Sequence, residues 1–469
     1  MSERKVYKPR PVSGFPEWLP EVRRVEQLWM DHIRKVFESY GYCSIETPAV
    51  EELNVIQAKG GDGGADVDKE VYVIERLHKD ENDKEARLAL HFDQTVPLAR
   101  YVAQHFNDLV FPFKRYQMQK VWRGERPQAG RFREFYQCDI DVINVDNLPL
   151  HFDAEMPAII WEILSSLPGM ENEKIQLRVS NRKILFGILG LYGIKETEKY
   201  TRLIDKFDKL GKDALEIDLK LNLKLDNLPE KAADTFIQLA QIKANPLDFS
   251  GLLRDFIARN DVIARSASDE AIQTLNEGIT ELSFVMDQLK HLPENSVVAD
   301  LSIVRGLDYY TGTVYETVFL DDPGYGSICS GGRYDDLAGN YINKNLPGVG
   351  ISIGFSRLFD RLRQQGKLPK LGISPAQALV ILMNEEDRPA ASAKAKHLRD
   401  LGYNAEMYHA PAKIKKQFEY AEKKGIPFIL IPKDGAPGVW EVKNMVTRTQ
   451  TDETSGLKEL DDYAHAQNK

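Results

Sequence analysis

Apolar residues recur with helical spacing over residues 21–39, where Val22, Val25, Leu28, Trp29, Ile33, Val36 and Phe37 share one face. Gly41 ends that helix, and YCSIETPAV follows as a strand whose pairing Pro48 limits. A glycine-rich acidic loop at 60–68 precedes the short strand VYVI, and the almost wholly charged run 79–84 reads as an exposed hairpin tip. From 87 to 145 the pattern is strand-rich: RLALHF, a short helix around TVPLARYVAQ, then KRYQMQKVWRGE and FREFYQCDIDVI. Alternation in these runs predicts antiparallel strands with one polar face. Helical spacing returns at 153–164, and 175–179 is a strand candidate. Between about 181 and 293 Lys, Asp, Leu and Glu dominate with helical spacing, which predicts a separate helical insertion. Strand alternation resumes over 297–353. After a Pro/Gly-bearing linker, the strands ALVILM, NAEMYHA and FILIP alternate with helices at roughly 387–401 and 414–424, an α/β module with a mixed sheet.

A chain of 469 residues has room for two or three domains. Its 42% hydrophobic and 28% charged content are ordinary for a globular protein, and no apolar run is long enough to span a bilayer. The start, MSERKVYKPRPVSGF, lacks the apolar core of a secretory signal. Cys43, Cys138 and Cys329 are widely separated with no CxxC pair, so free thiols in a reducing cytoplasm are expected rather than a disulfide or metal framework. A net charge of −9 argues against a general nucleic-acid coat but leaves room for a local basic surface.

Chemistry concentrates in five blocks. In VWRGERPQAGRFREFYQCDIDVI, two strands flank a turn rich in Arg, Pro and Gly. Period-2 geometry puts Arg123 and Glu125 on one face of the first strand. Arginine suits phosphate by bidentate donation, a carboxylate can accept from an adenine amino group, and Phe135 offers a ring face. A cross-strand ion pair is the plainer account of the same residues. In HFDQTVPLARY, Asp93 forms a turn and Thr95 precedes a helix as its N-cap. Gln137 and Asp141, four apart, share a strand face, and a buried carboxylate there needs a donor that an imidazole N–H supplies. IVRGLDYYTGTVYE brings Arg305, Tyr309 and Tyr310 together, although adjacent tyrosines in a strand also serve as core packing. SGGRYDDL and GVGISIGFSRLFDRL carry glycines suited to close backbone approach, the second leading into a helix that bears Arg357.

These blocks resemble the histidyl-tRNA synthetase family, and the likeness covers essentially the whole chain. The Arg123 hairpin is similar to motif 2 of class II aminoacyl-tRNA synthetases, and IVRGLDYY and GGRYD resemble signature blocks of the histidyl members. GVGISIGFSRL looks like motif 3, and the first helix and strand, ending at Pro48, look like motif 1, a dimer interface in this class. The resemblance implies an α+β fold, with a class II core on an antiparallel sheet with flanking helices. The core occupies 1–180 and 296–366 around a helical insertion at 181–295. A linker at 367–375 leads to an anticodon-binding α/β domain at 376–469. It further implies a cytoplasmic homodimeric enzyme that takes ATP with Mg²⁺, L-histidine and histidine tRNA. Arg123 and Arg305 would be catalytic. ATP would be bound by Arg123, Glu125, Phe135 and Arg357, and histidine by Asp93, Thr95, Gln137, Asp141, Tyr309 and Tyr310. The tRNA acceptor end would meet Arg126 and Gln128, and no protein ligand is assigned to a metal. Two rivals stand beside it: a silent regulatory paralogue that binds histidine without activating it, and another class II synthetase with the same anticodon-binding fold.

Overall fold

The computed structural model describes residues 7–57, 70–77, 87–260, 269–304, 310–336, 338–339, 341–436 and 438–467. The expected loop at 60–68, the hairpin tip at 79–84, and Arg305 and Tyr309 lie outside the described residues. The chain divides into two compact units, Met1–Pro16 with Met30–Lys367 and Glu17–Trp29 with Leu368–Lys469.

The first unit is built on a nine-stranded sheet. Helix α1 (Pro20–Ser39), whose residues up to Trp29 count with the second unit, buries Val25, Trp29, Ile33 and Phe37, as its periodicity predicts. The run YCSIETPAV is not one strand. β1 (Cys43–Ser44) pairs in parallel with β5 (Phe113–Trp122), while β2 (Val50–Glu52) joins β3 (Val73–Ile74) and β4 (Leu88–Leu90) in a small separate sheet. Pro48, which has no N–H to donate, falls at the break. Helix α2 (Thr95–Gln104) follows β4. β5 then pairs antiparallel with β6 (Glu134–Ile143) over ten residues.

Beyond them come helix α3 (His151–Ser166) and β7 (Ile175–Asn181), then a largely helical stretch from Arg182 to Gln288. That stretch contributes β8 (Lys243–Ala244), which pairs with β9 (Val297–Asp300) at the sheet's edge. β10 (Thr313–Phe319), β11 (Cys329–Tyr334) and β12 (Gly348–Ile353) complete the order β1-β5-β6-β12-β11-β10-β7-β9-β8. All its pairings are antiparallel except β1 with β5 and β7 with β9. Helix α4 (Phe355–Gln364) follows β12.

The polar face of the β5–β6 ribbon is not a solvated one. Arg115 stands opposite Asp141 and Gln117 opposite Asp139, and all four are buried. Polar groups withdrawn from water need partners, so this face is either internally satisfied or built for a ligand.

The second unit holds a five-stranded mixed sheet. β13 (Ala378–Val380) lies in parallel between β14 (Ala405–Met407) and β15 (Phe428–Pro432). β16 (Trp440–Asn444) and β17 (Gln450–Asp452) extend it antiparallel. The helix Ile414–Lys424 matches its expected bounds and stops at Gly425 in the left-handed region, φ 71°. β16, β17 and the last helix, Glu453–Gln467, were not read from the sequence. Leu379, Leu398, Phe428 and Leu430 are buried in its core. Among the described residues, no helix is long and apolar enough to cross a membrane.

Candidate active site

β5 and β6 end opposite each other at Trp122 and Glu134. The chain between them borders a cleft of about 270 Å³, whose walls include Arg123, Glu125, Phe135, Gln137, Ser352 and Arg357. Five of these were singled out in the sequence; Ser352 was not.

Arg123 and Glu125 lie past the last residue of β5, so strand alternation is not what aims them. The hairpin persists through the Arg123 N–H, which donates to the Arg133 carbonyl at 3.0 Å. The Arg123 guanidinium carbon sits 4.4 Å from the Phe92 ring centroid and 5.2 Å from that of Phe135. Its Nε donates to the Phe92 carbonyl at 3.3 Å. Burial lowers its pKa, opposed by Asp93, Glu125, Glu70 and Asp139, and a guanidinium remains charged throughout. The expected Arg–Glu alternative takes a different form, since Glu125 pairs with Arg131 at 3.3 Å.

Arg357, third in α4, donates to the Tyr325 carbonyl and lies 5.0 Å from the Tyr325 ring, whose hydroxyl returns a 2.8 Å hydrogen bond to the Arg357 carbonyl. Arg361, one turn on, covers the same ring at 5.0 Å and is held by Asp321 and Asp322. Tyr325 therefore fixes the cleft arginine. Sequence reasoning missed it because DDPGYGS carries only turn signals. Arg126 and Gln128 are exposed on the loop, where the Gln128 and Arg131 backbones exchange hydrogen bonds of 3.2 and 2.9 Å.

At the other end, Gln137 Nε2 donates to Ser352 Oγ at 2.7 Å, and its Oε1 is buried without a partner. Asp141 is buried beside Arg115, whose Nη2 lies 2.6 Å from Oδ2, an ion-pair distance not aligned as a hydrogen bond. The Tyr334 hydroxyl donates to Asp141 Oδ1 at 3.0 Å. Both carboxylate oxygens thus have protein partners, and Asp141 is not among the residues lining the cleft.

Arg333 grips buried Asp153 through Nε at 3.0 Å and Nη2 at 2.5 Å. Tyr310 is partly buried and packs over Gly332, where a Cβ would come 2.8 Å from its ring. Likewise a Cβ on Gly350 would fall inside the Asp141 carboxylate. These glycines make room for side chains on neighbouring elements.

Asp93 and Thr95 also stand apart from the lining. Thr95 is the first residue of α2 rather than its cap, and Asp93 Oδ1 accepts from the Val96 N–H at 3.0 Å. His91 is buried, its Nε2 2.7 Å from the Lys120 carbonyl, and desolvation lowers its pKa. The residues missed entirely include Arg115, Asp139, Tyr325 and Ser352. The first two were detectable as polar members of the strands' period-2 pattern.

Arg123, Arg131 and Arg357 give the cleft a donor set suited to phosphate oxygens. Among the described residues, no three His, Cys, Asp or Glu side chains converge to hold a metal ion.

The family profile described as "Histidyl-tRNA synthetase" matches residues 14–358, and the one described as "Anticodon binding domain" matches 377–465. The histidine–tRNA ligase of Thermobifida fusca (strain YX) is 50% identical over 455 residues, covering 96% of this chain and 98% of that protein. The crystal structure of histidyl-tRNA synthetase from Nostoc sp. PCC 7120 superimposes with a TM-score of 0.83 at 37% identity, covering 98% of this chain and 100% of that one. An ATP phosphoribosyltransferase regulatory subunit/histidyl-tRNA synthetase from Bacillus halodurans shares the fold, with a TM-score of 0.69 at 18% identity over 89% and 97% of the two chains. The cleft's arginines, its class II hairpin and these likenesses agree: the chain belongs to the histidyl-tRNA synthetase family.

Proposed function

We propose that this chain is a histidine–tRNA ligase working on the cleft between β6, β12 and α4. In the first step a histidine carboxylate oxygen attacks the α-phosphorus of ATP. The bond to pyrophosphate breaks, leaving histidyl-adenylate. In the second, a terminal ribose hydroxyl of the tRNA attacks the adenylate carbonyl and displaces AMP. Neither step needs a side-chain nucleophile. Holding the reactants in line can supply ~7–11 kcal/mol of the barrier, and cations preorganised at the phosphate supply more.

In this reading Arg123 grips the α-phosphate, Phe135 faces the adenine, Glu125 accepts from its amino group and Arg357 closes over the nucleotide. Gln137 offers its unpartnered oxygen to the amino acid. Asp93 and Thr95 take the α-ammonium, and Asp141 and Tyr310 approach the imidazole. Arg305 and Tyr309 belong to the same site by family likeness, Arg305 at the α-phosphate and the histidine carboxylate. Magnesium arrives with the triphosphate. Arg126 and Gln128, exposed on the loop, meet the acceptor end of the tRNA. The catalytic core comprises 1–180 and 296–366, around the insertion at 181–295. The domain after the 367–375 linker reads the anticodon, and two copies join through the α1 region as a cytoplasmic homodimer.

The observation that carries the reading is the convergence of Arg123, Glu125, Phe135, Gln137 and Arg357, from two separate sequence blocks, on one cleft. ATP–pyrophosphate exchange with each of the twenty amino acids, without tRNA, tests it. Exchange with histidine alone is the expected result. Histidine binding without exchange would favour a regulatory paralogue, and exchange with another amino acid would overturn the pocket assignment. Arg305→Lys should fold normally and lose most exchange.

A further inference from the structure

Gln137, Asp139 and Asp141 project from one side of β6 by the two-residue period of a strand. Gln137 reaches the cleft and Asp141 has partners on both oxygens, which leaves Asp139 between them. It stands in register with Gln117 on β5 and with Ser352 on β12, is only 5% exposed, and has a buried Oδ1 without a hydrogen-bond partner. Ser352, part of the cleft wall, stands opposite it on β12 and favours its charged form. The charged and titratable groups around it come from several elements: Arg115 on β5, Asp141 and Cys138 on β6, Asp93 ahead of α2, and Arg123 beyond β5. This orphaned acceptor lies next to Gln137 and Ser352, two residues that line the cleft, although Asp139 is not itself in the lining.

We propose that Asp139 is a further binding residue for the amino acid, its free oxygen joining Asp93 and Thr95 around the α-ammonium of histidine; the proposal rests on the histidine-activating reading above. Desolvation pushes the carboxyl up to about 7, with Arg115 and Ser352 opposing and Asp141 and Asp93 adding to the rise. Near neutrality the free protein therefore holds Asp139 partly as the neutral acid. The arriving ammonium favours the charged form: the carboxyl O–H bond breaks, the proton leaves to solvent, and a carboxylate–ammonium pair remains. Histidine binding consequently releases protons near pH 7 and tightens as pH rises through that value.

Calorimetric titration of histidine into the full chain, in two buffers of different ionisation enthalpy, counts those protons. Relative to Asp139→Asn, wild type should release a further fraction of a proton per histidine at pH 7, and that difference should vanish at pH 9. Asp139→Asn, an isostere of the neutral acid, should keep its melting temperature at pH 6 and lose this component. It should raise KM for histidine about ten- to a hundredfold, the worth of a hydrogen bond to a charged group, and leave KM for ATP unchanged. Asp139→Ser is the second variant and should behave alike. The protons exchanged by the ligand's own imidazole and α-amino groups are common to all three proteins and cancel in the difference. Unchanged histidine KM and proton count in both variants, beside normal histidine-dependent exchange by wild type, would overturn the role of Asp139 alone. Absence of that exchange in wild type would instead overturn the functional reading.

Discussion

Arg123 and Arg357 line the cleft with guanidiniums held by the backbone carbonyls of Phe92 and Tyr325 and by aromatic rings, whereas Arg115 and Arg333, on the neighbouring strands, face the buried carboxylates of Asp141 and Asp153. The same side chain is used in two ways. Anchored to a carbonyl and a ring, it keeps its positive charge available to an incoming anion. Matched to a carboxylate and buried, that charge is cancelled, and the pair fixes the sheet's interior geometry. For these four arginines, partner and burial together separate ligand-binding from architectural roles.

The sharpest way to break the contrast is to cut a buried pair. Arg333→Ala leaves Asp153 ionisable and unmatched in the interior, and should cost ~3–5 kcal/mol in chemical denaturation. Desolvation already pushes the Asp153 carboxyl upward, so the variant should regain some stability as pH is lowered and that group protonates. A cost under ~1 kcal/mol, the range of surface pairs, would erase the distinction. Arg123→Gln should do the reverse, costing less stability than Arg333→Ala, because its guanidinium is held by the Phe92 carbonyl and ring rather than by a direct ion pair. Its histidine-dependent exchange should fall ~10²–10³-fold, the usual cost of one preorganised charge-stabilising donor. A large drop in stability with intact exchange would place Arg123 with the buried pairs.

Tyr325→Phe removes the hydroxyl bond to the Arg357 carbonyl and should cost ~1 kcal/mol, read as a severalfold rise in KM for ATP with kcat held. The smallest effect belongs to Arg131→Ala, which cuts an exposed pair with Glu125. Stability should change by less than ~1 kcal/mol, and less still at high salt.

Long elements with a clean period were legible from sequence. The β5–β6 hairpin and the helices Thr95–Gln104 and Ile414–Lys424 appear where the pattern put them. Short strands were not: β1 and β2 are two and three residues long, and a single proline decides that they belong to different sheets. β16 alternates buried and half-buried residues, but Trp440–Asn444 follows a Gly/Pro loop and is too short to stand out.

In the site, residue types that make charge-specific contacts were readable. What each side chain faces depends on strands distant in sequence. Asp141 and Gln137 looked equivalent on β6, yet only Gln137 reaches the cleft, because β11 brings Tyr334 to Asp141. The polar members of β5 could be found by spacing, but burial of their face became visible only once β6 was aligned opposite them.

The empty positions at Gly332 and Gly350 limit how this site can be re-engineered. One added methyl group at 350 would collide with the Asp141 carboxylate, and one at 332 with the Tyr310 ring. Enlarging residues along that wall therefore offers no graded route to a smaller or differently shaped pocket. A library aimed at altered amino-acid choice would do better to leave both glycines fixed and diversify side chains that end in open space. Its dead variants would otherwise be concentrated at two positions where even alanine is too large.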